Sequence, residues 1–92
     1  MSLPALSAVV HGRVQGVSYR WNARAEATRL GLSGWVRNQP DGTVDVYAVG
    51  SRADLERFLT WLEAGPPGAR VTRVDAAWGE APSPPAGFEI RF

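Results

Sequence analysis

The spacing of apolar residues switches between periods of about 2 and about 3.6 along this chain of 92 residues. Alternating runs predict strands, and apolar stripes with helical spacing predict helices. From the first residue to the last, the predicted order is strand, helix, strand, strand, helix, strand, followed by a short extra strand. The order β-α-β-β-α-β predicts an α+β, ferredoxin-like split βαβ sandwich, with both helices on one face of an antiparallel sheet.

The strands are predicted from alternation and from the turn residues between them. They are residues 6–14, 35–38, 43–49, 71–78 and a short C-terminal edge strand, 88–92. The segment Gln39-Pro40-Asp41-Gly42 joins the second strand to the third, and Pro before Asp-Gly is typical of a tight turn, so these two strands should form an antiparallel hairpin. Residues 79–87 hold three of the seven Pro and two Gly, and they predict a loop.

The first helix is predicted from an apolar stripe made by Tyr19, Ala23, Ala27 and Leu30. Gly31 follows the last of them, where a left-handed residue commonly ends a helix.

The second helix has the clearest pattern in the chain. Ser51 and Asp54 make an approximate capping box at its start, and Gly65-Pro66-Pro67-Gly68 ends it. Its apolar positions follow the i, i+3, i+4, i+7 pattern. They are Leu55, Phe58, Leu59 and Leu62.

The length predicts one domain spanning residues 1–92, because single domains usually contain about 100–150 residues. A chain of 9.9 kDa should expose roughly 5,200 Å² when folded. That area is compatible with one core between two packed layers.

The composition excludes several kinds of chemistry. All ten basic residues are Arg and there is no Lys, so Schiff-base catalysis and a Walker-type phosphate loop are excluded. The absence of Cys and the single His exclude thiolate chemistry, Cys-ligated zinc and a His-rich metal site. The net charge of +1 gives no indication of nucleic-acid binding.

The location of the protein is predicted from segments that it lacks. No apolar run approaches the ~18 residues of a membrane span, and Met1-Ser2-Leu3-Pro4 lacks the charged start of a signal peptide. We therefore expect a cytoplasmic protein that binds no membrane. Nothing in the sequence demands more than a monomer.

The connection between the first strand and the first helix is the first candidate site. A loop that leads into a helix directs several main-chain N–H groups at one point, where the helix dipole also favours an anion. Gly16 permits a close approach of the main chain. Arg20 lies in the first helical turn, where the dipole favours acidic residues, so its position suggests that it binds an anion such as phosphate. An ordinary Gly-containing turn with a solvated Arg20 is an equally open interpretation.

Asn38, at the end of the second strand, is the second candidate. Its carboxamide both accepts and donates hydrogen bonds, so it could hold a water molecule and a phosphoryl oxygen together. From the pattern alone, a turn-initiating Asn before Pro-Asp-Gly is the simpler interpretation.

Three segments resemble the acylphosphatase family, and together with the strands around them they cover nearly the whole chain. They are Gly12-Arg13-Val14-Gln15-Gly16-Val17-Ser18-Tyr19-Arg20, Gly31-Leu32-Ser33-Gly34-Trp35-Val36-Arg37-Asn38 and Asp41-Gly42-Thr43-Val44. The resemblance implies an enzyme that hydrolyses acyl phosphates to a carboxylate and inorganic phosphate. Two positions depart from the family pattern. Tyr19 stands where Phe is usual, and Gln39 stands where animal members often carry Thr.

The resemblance also implies roles for individual residues. It implies that the loop 14–20 binds phosphate, that Arg20 contributes to this binding, and that Asn38 orients the attacking water. The loop residues expected to bind phosphate are Gln15, Gly16, Val17, Ser18, Tyr19 and Arg20. The expected partner is a small-molecule acyl phosphate, and neither a metal nor another cofactor is expected.

Two other functions remain as alternatives. The first is a non-catalytic module of the same fold that binds a phosphorylated or anionic ligand through the same loop. The second is an RNA-binding sheet, which would carry aromatic residues on its central strands. The segment 43–49 offers one Tyr and an Asp, so the RNA-binding interpretation is the weaker of the two.

Several other residues have a simpler structural interpretation. His11 could act as a general base, but its alternation places it on a sheet face. Trp35 and Trp78 could stack on bases, although packing in the core or on a sheet face is the more common role of such residues. Trp21 and Trp61 flank the helical stripes and would cover them or belong to a partner surface.

Overall fold

The computed structural model describes residues 2–92, which form two helices and one five-stranded sheet. The elements in chain order are β1 (Leu3–Arg13), α1 (Tyr19–Arg29), β2 (Ser33–Asn38), β3 (Val44–Val49), α2 (Arg52–Ala64), β4 (Arg70–Ala81) and β5 (Phe88–Arg91). The chain exposes 5247 Å², close to the area that its length predicts. The predicted α+β, ferredoxin-like order of elements is confirmed.

The sheet is mixed, which corrects the prediction of a wholly antiparallel sheet. Its strand order is β4-β1-β3-β2-β5, and the first three pairings are antiparallel. β5 joins the edge of β2 in parallel. The reason is geometric: β4 runs opposite to β2, so a chain that reverses after β4 and crosses to the far edge must run with β2.

β1 and β4 are longer than predicted, and the loop predicted at 79–87 is correspondingly shorter. Residues 3–5 of β1 pair with residues 79–81 of β4, so each strand extends the other. This pairing is not predicted from the sequence because Pro4 and Gly79 are both uncommon inside strands. Pro4 lies just beyond the β1–β3 ladder, where its carbonyl accepts from the Gly50 N–H at 3.2 Å.

The hairpin between β2 and β3 is confirmed. The Gln39 N–H donates to the Thr43 carbonyl at 2.8 Å, and Gly42 adopts a left-handed φ of 93°. The Asp41 carboxylate accepts from both the main-chain N–H and the hydroxyl of Thr43, at 3.0 and 2.6 Å. These bonds, the one from the hydroxyl foremost, hold the pKa of Asp41 below its usual value.

The end of α1 and the start of α2 are where the sequence predicts them. After α1 the chain turns through Gly31, whose φ is 73°, and the N–H groups of Gly31 and Leu32 donate to the carbonyls of Thr28 and Ala27. This is the Schellman pattern that ends many helices. At the start of α2 the Ser51 side chain accepts from the Asp54 N–H.

The core lies between the helices and one face of the sheet. The fully buried residues at its centre come from β1, β2, β3 and both helices, and they include Leu6, Val10, Val36, Val46, Ala23, Ala27, Leu55, Phe58 and Leu62. The two alanines are completely buried, because small side chains let α1 approach the sheet closely. The core thus fixes the start of α1 against the ends of β1 and β2.

Trp78, Trp35 and His11, for which the sequence favours a structural role, each contact neighbouring side chains. The Trp78 ring lies 3.6 Å from the guanidinium of Arg52, and Trp35 packs beside Tyr47 on the open face of the sheet. His11 lies on the same open face and contacts the Asp75 carboxylate at 2.9 Å. That contact is the main reason for the lowered pKa of Asp75.

Candidate active site

The loop between β1 and α1 has an unusual main-chain conformation. Gly16 has a φ of 75° and Ser18 a φ of 59°, and Ser18 is the one non-glycine residue with positive φ within residues 2–92. A left-handed conformation is unfavourable for a residue with a Cβ, by about 1–2 kcal/mol. Such strain persists where the surrounding structure requires it, commonly at a ligand site.

This conformation leaves a group of main-chain N–H donors at the start of α1. Residues 15–18 form bends without a hydrogen-bonded turn, and the first intrahelical bond runs from the Asn22 N–H to the Ser18 carbonyl at 3.0 Å. The Ser18 side chain, at the N-cap, makes no capping bond. Left-handed residues in a turn gather successive N–H groups around one point, which favours an anion.

Arg20 lies in the first turn of α1, where no acidic residue is present. Its Nη1 donates to the Arg91 carbonyl at 3.1 Å, and its Cζ lies 4.8 Å from the centre of the Phe92 ring. Among the described residues, no carboxylate lies within 4.0 Å of its guanidinium. The group is therefore held in position by neutral contacts and retains N–H donors for an anion.

Asn38 is the last residue of β2 and is half-buried. Its Oδ1 atom is buried and has no hydrogen-bond partner among residues 2–92. A buried acceptor without a partner costs about 1–3 kcal/mol, so such an atom in a native fold calls for an explanation. Asn38 also lines the cleft beside the loop, so its carboxamide is a candidate for contact with a ligand there.

These groups surround one open cleft with a volume of about 180 Å³. Its lining residues are Val14, Gly16, Ser18, Tyr19, Arg20, Trp21, Asn38, Ile90 and Phe92. Five of the residues predicted for the site are therefore brought together: Gly16, Ser18, Tyr19, Arg20 and Asn38. Trp21, Ile90 and Phe92 were not foreseen as site residues, and the sequence carried no sign that β5 would lie beside β2.

Gln15 and Val17, also predicted to bind phosphate, do not line the cleft. The Gln15 side chain donates from Nε2 to the carbonyls of Gln39 and Thr43, at 2.8 and 2.9 Å. These bonds connect the loop to the hairpin turn that follows Asn38. Val17 packs partly buried against the core. Neither side chain lines the cleft, so contact of these two residues with a ligand would come from their main-chain groups.

Tyr19 contributes its main chain to the loop while its side chain enters the core. It is 1% exposed, and its hydroxyl donates to the Leu62 carbonyl at 2.7 Å. Its ring lies 5.4 Å from the ring of Trp61. Burial raises the pKa of the Tyr19 hydroxyl. The side chain fixes the start of α1 relative to α2.

Residues 2–92 contain no group of three or more His, Asp or Glu side chains placed to hold a metal ion. Neither of the two helices is long and apolar enough to span a membrane.

Comparison with known proteins gives consistent matches. A family model described as Acylphosphatase matches residues 6–90. The acylphosphatase of Thermococcus kodakarensis is 48% identical over 81 residues, which cover 88% of each chain. The acylphosphatase of a Mycobacterium species, strain KMS, is 51% identical over 86 residues, covering 94% of this chain and 92% of the relative.

The fold is also similar to that of a solved acylphosphatase structure. The crystal structure of the acylphosphatase from Bacillus subtilis superposes with a TM-score of 0.94 at 31% sequence identity. The superposition covers 98% of this chain and 100% of the other.

Proposed function

Because the chain belongs to the acylphosphatase family, it is a hydrolase of acyl phosphates, and we propose that Arg20 and Asn38 are its catalytic residues. The observation that carries this proposal is their meeting in one cleft. An Arg without a carboxylate partner and an Asn with an unpartnered oxygen line the same cleft as the strained loop before α1. The remaining steps follow from the chemistry of these groups.

The first step is binding of the phosphoryl group. We assign it to the main-chain N–H groups of the loop, residues 15–20, and to the Arg20 guanidinium. Each N–H donates to a phosphoryl oxygen, and a guanidinium can donate two parallel bonds to such a group. These donors also stabilise the negative charge on those oxygens during transfer, which is the main requirement of phosphoryl chemistry.

The second step is positioning of water. We assign this step to the Asn38 carboxamide, which would hold the water so that the water oxygen faces phosphorus on the side opposite the bridging oxygen. Holding the two reactants in line removes much of the entropic cost of their encounter. Asn is a poor base, so we expect a phosphoryl oxygen or solvent to accept the proton.

The bond changes are simple. The water oxygen forms a bond to phosphorus, the bond from phosphorus to the bridging oxygen breaks, and the carboxylate leaves with both electrons of that bond. An acyl phosphate is a mixed anhydride whose carboxylate leaves readily, so no strong acid is needed to protonate it. The proposed residues supply what remains, which is charge stabilisation and geometry.

We propose that the enzyme needs neither a metal nor a second subunit. We expect the reaction to proceed without a metal, and turnover should therefore survive a chelator. We also expect a monomer to be active. Sedimentation of the active species tests the second expectation, and a cytoplasmic location stays a prediction from the sequence.

The test is hydrolysis of benzoyl phosphate, with inhibition by inorganic phosphate measured in parallel. Arg20→Ala should weaken phosphate binding and lower the rate together. Asn38→Ala should lower kcat about 100-fold or more with a smaller effect on phosphate binding, as expected for a group that acts mainly in the transition state. Arg29→Ala, an exposed Arg in the last turn of α1 and outside the cleft, is the matched control and should leave both unchanged.

The outcomes separate the alternatives. Phosphate binding without turnover in the unaltered protein would favour the non-catalytic anion-binding module. Full activity of Asn38→Ala would remove the role assigned to that residue. Loss of activity with a chelator would contradict the metal-free mechanism.

A further inference from the structure

Large apolar side chains are concentrated at the mouth of the cleft. Within the described chain, four large hydrophobic residues are exposed: Leu3, Trp21, Trp78 and Phe92. Two of them, Trp21 and Phe92, line the cleft. Exposed apolar groups beside a polar binding site indicate that a ligand covers them.

Trp21 and Phe92 are more exposed than Trp78. The Arg52 guanidinium lies 3.6 Å from the Trp78 ring and covers one of its faces. Trp21 is 66% exposed and Phe92 is 98% exposed, and the nearest guanidinium groups lie 5.5 and 4.8 Å from their rings. Much of their apolar surface therefore stays in contact with water.

The lining of the cleft contains both polar and apolar residues. Gly16, Ser18, Arg20 and Asn38 supply the polar groups, while the lining set also contains Val14 and Ile90 beside the two aromatic residues. Trp21 follows Arg20 directly in α1, and the Phe92 ring contacts the Arg20 guanidinium. A phosphoryl group bound at Arg20 would thus have aromatic rings close to it.

The chemistry of the substrate determines which group lies beside the Trp21 and Phe92 rings. In an acyl phosphate a single bridging oxygen joins phosphorus to the acyl carbon, so the acyl group cannot lie far from the bound phosphoryl group. An acyl group that is itself aromatic can pack against Trp21 and Phe92 and remove apolar surface from water. A methyl group can cover only a small part of that surface.

We propose that Trp21 and Phe92 form the acyl-binding part of the site, so that the enzyme prefers aromatic acyl phosphates to acetyl phosphate. This inference rests on the proposed function, since it places the phosphoryl group at Arg20. Neither aromatic residue takes part in the bond changes. Their effect is on the choice of substrate.

The test compares kcat/KM for benzoyl phosphate with kcat/KM for acetyl phosphate in each variant. The ratio of the two values cancels differences in intrinsic reactivity and any general loss of activity. Trp21→Ala and Phe92→Ala should each lower the ratio about 2- to 10-fold, the effect of losing one aromatic contact. Trp78→Ala, which removes an exposed Trp away from the cleft, should leave the ratio unchanged.

Inhibition by inorganic phosphate identifies damage to the polar part of the site. Phosphate lacks an acyl group, so its inhibition constant should stay the same in Trp21→Ala. Because Phe92 contacts Arg20, its variant can change phosphate binding, and Trp21→Ala is the decisive variant.

The proposal is wrong if Trp21→Ala and Phe92→Ala both hydrolyse the two substrates with the ratio of the unaltered protein. That result differs from failure of the proposed function, in which the unaltered protein would hydrolyse neither substrate. A lowered ratio in Trp78→Ala equal to that in Trp21→Ala would also overturn the proposal, because the effect would then not depend on the cleft.

Discussion

The hydroxyl of Tyr19, the first residue of α1, donates a hydrogen bond of 2.7 Å to the main-chain carbonyl of Leu62 in the last turn of α2. The last carbonyls of a helix lack an intrahelical donor, so the phenol satisfies a group that the helix leaves unpaired. The same residue is the one at which the sequence departs from the usual Phe of the family. The departure therefore adds a bond between the two helices at the edge of the proposed phosphate site.

Tyr19→Phe should lower the free energy of unfolding by about 1–2 kcal/mol, because it leaves the Leu62 carbonyl without its partner while keeping the ring. Urea denaturation measures the change. The matched control is Tyr47→Phe, since Tyr47 is only half-buried and its hydroxyl makes no hydrogen bond to another described residue. Equal effects of the two substitutions would contradict the role assigned to the Tyr19 hydroxyl.

Stability should also fall at alkaline pH through Tyr19. Burial raises the pKa of its hydroxyl above the ordinary value of about 10. Above that pH the unfolded chain releases the proton and the folded chain keeps it, so the free energy of unfolding declines as pH rises. The decline attributable to Tyr19 is at most about 1.4 kcal/mol per pH unit. Urea midpoints measured from about pH 8 to 11 should show a shallower decline in Tyr19→Phe, and identical slopes would refute this.

Arg20→Lys should lower kcat/KM for benzoyl phosphate about 10- to 100-fold although the charge is kept. A Lys ammonium is a point charge that cannot donate two parallel bonds to a phosphoryl group while also reaching the Arg91 carbonyl. Steady-state kinetics and phosphate inhibition measure the effect. Arg29→Lys, at the far end of the same helix and outside the cleft, should have unaltered kinetics. An active Arg20→Lys variant would show that charge alone is sufficient.

Gln15→Glu should destabilise the protein by about 1–3 kcal/mol and weaken phosphate binding. The new carboxylate cannot donate to the carbonyls of Gln39 and Thr43, and it adds negative charge beside the loop. Gln15→Met, similar in length but uncharged, separates the lost hydrogen bonds from the added charge. If both variants bind phosphate as the unaltered protein does, the link between loop and hairpin has no role in the site.

Gly34→Ala should reduce stability by about 2–5 kcal/mol, as expected for backbone strain combined with overpacking. A Cβ at this position would overlap the Tyr47 carbonyl oxygen, and the residue has a φ of 143°. Gly79→Ala is the control, because nothing lies within 4 Å of the corresponding Cβ. Thermal unfolding of both variants measures the difference, and a stable Gly34→Ala protein would contradict the close packing of β2 and β3.

The features predicted well from the sequence are those with local causes. Gly31 and Ser51 define helix ends through their own main-chain and side-chain properties, and Pro40-Asp41-Gly42 forms its turn without help from distant residues. The positions of Arg20 and Asn38 at element ends mark them as candidates in the sequence itself. The structure places both in one cleft, whereas their catalytic roles stay proposals.

The features that escaped prediction depend on contacts between distant segments. The extra length of β1 exists only because residues 79–81 lie beside it, and the parallel pairing of β5 depends on the whole strand order. The bond from Tyr19 to Leu62 and the position of Phe92 at the cleft also depend on contacts between segments that are distant in the sequence. Periodicity reports which face of an element is buried, but not which distant residue covers it.

The parallel strand β5 also decides when the site can exist during folding. Arg20 and Arg91 are 71 positions apart, so closing this contact is among the slower and entropically more costly events for the chain. A refolding intermediate with four paired strands and an undocked β5 would have a core but an Arg20 without its carbonyl contact and a cleft without one wall. Recovery of enzymatic activity therefore requires the docking of β5, whatever the order in which the other strands pair.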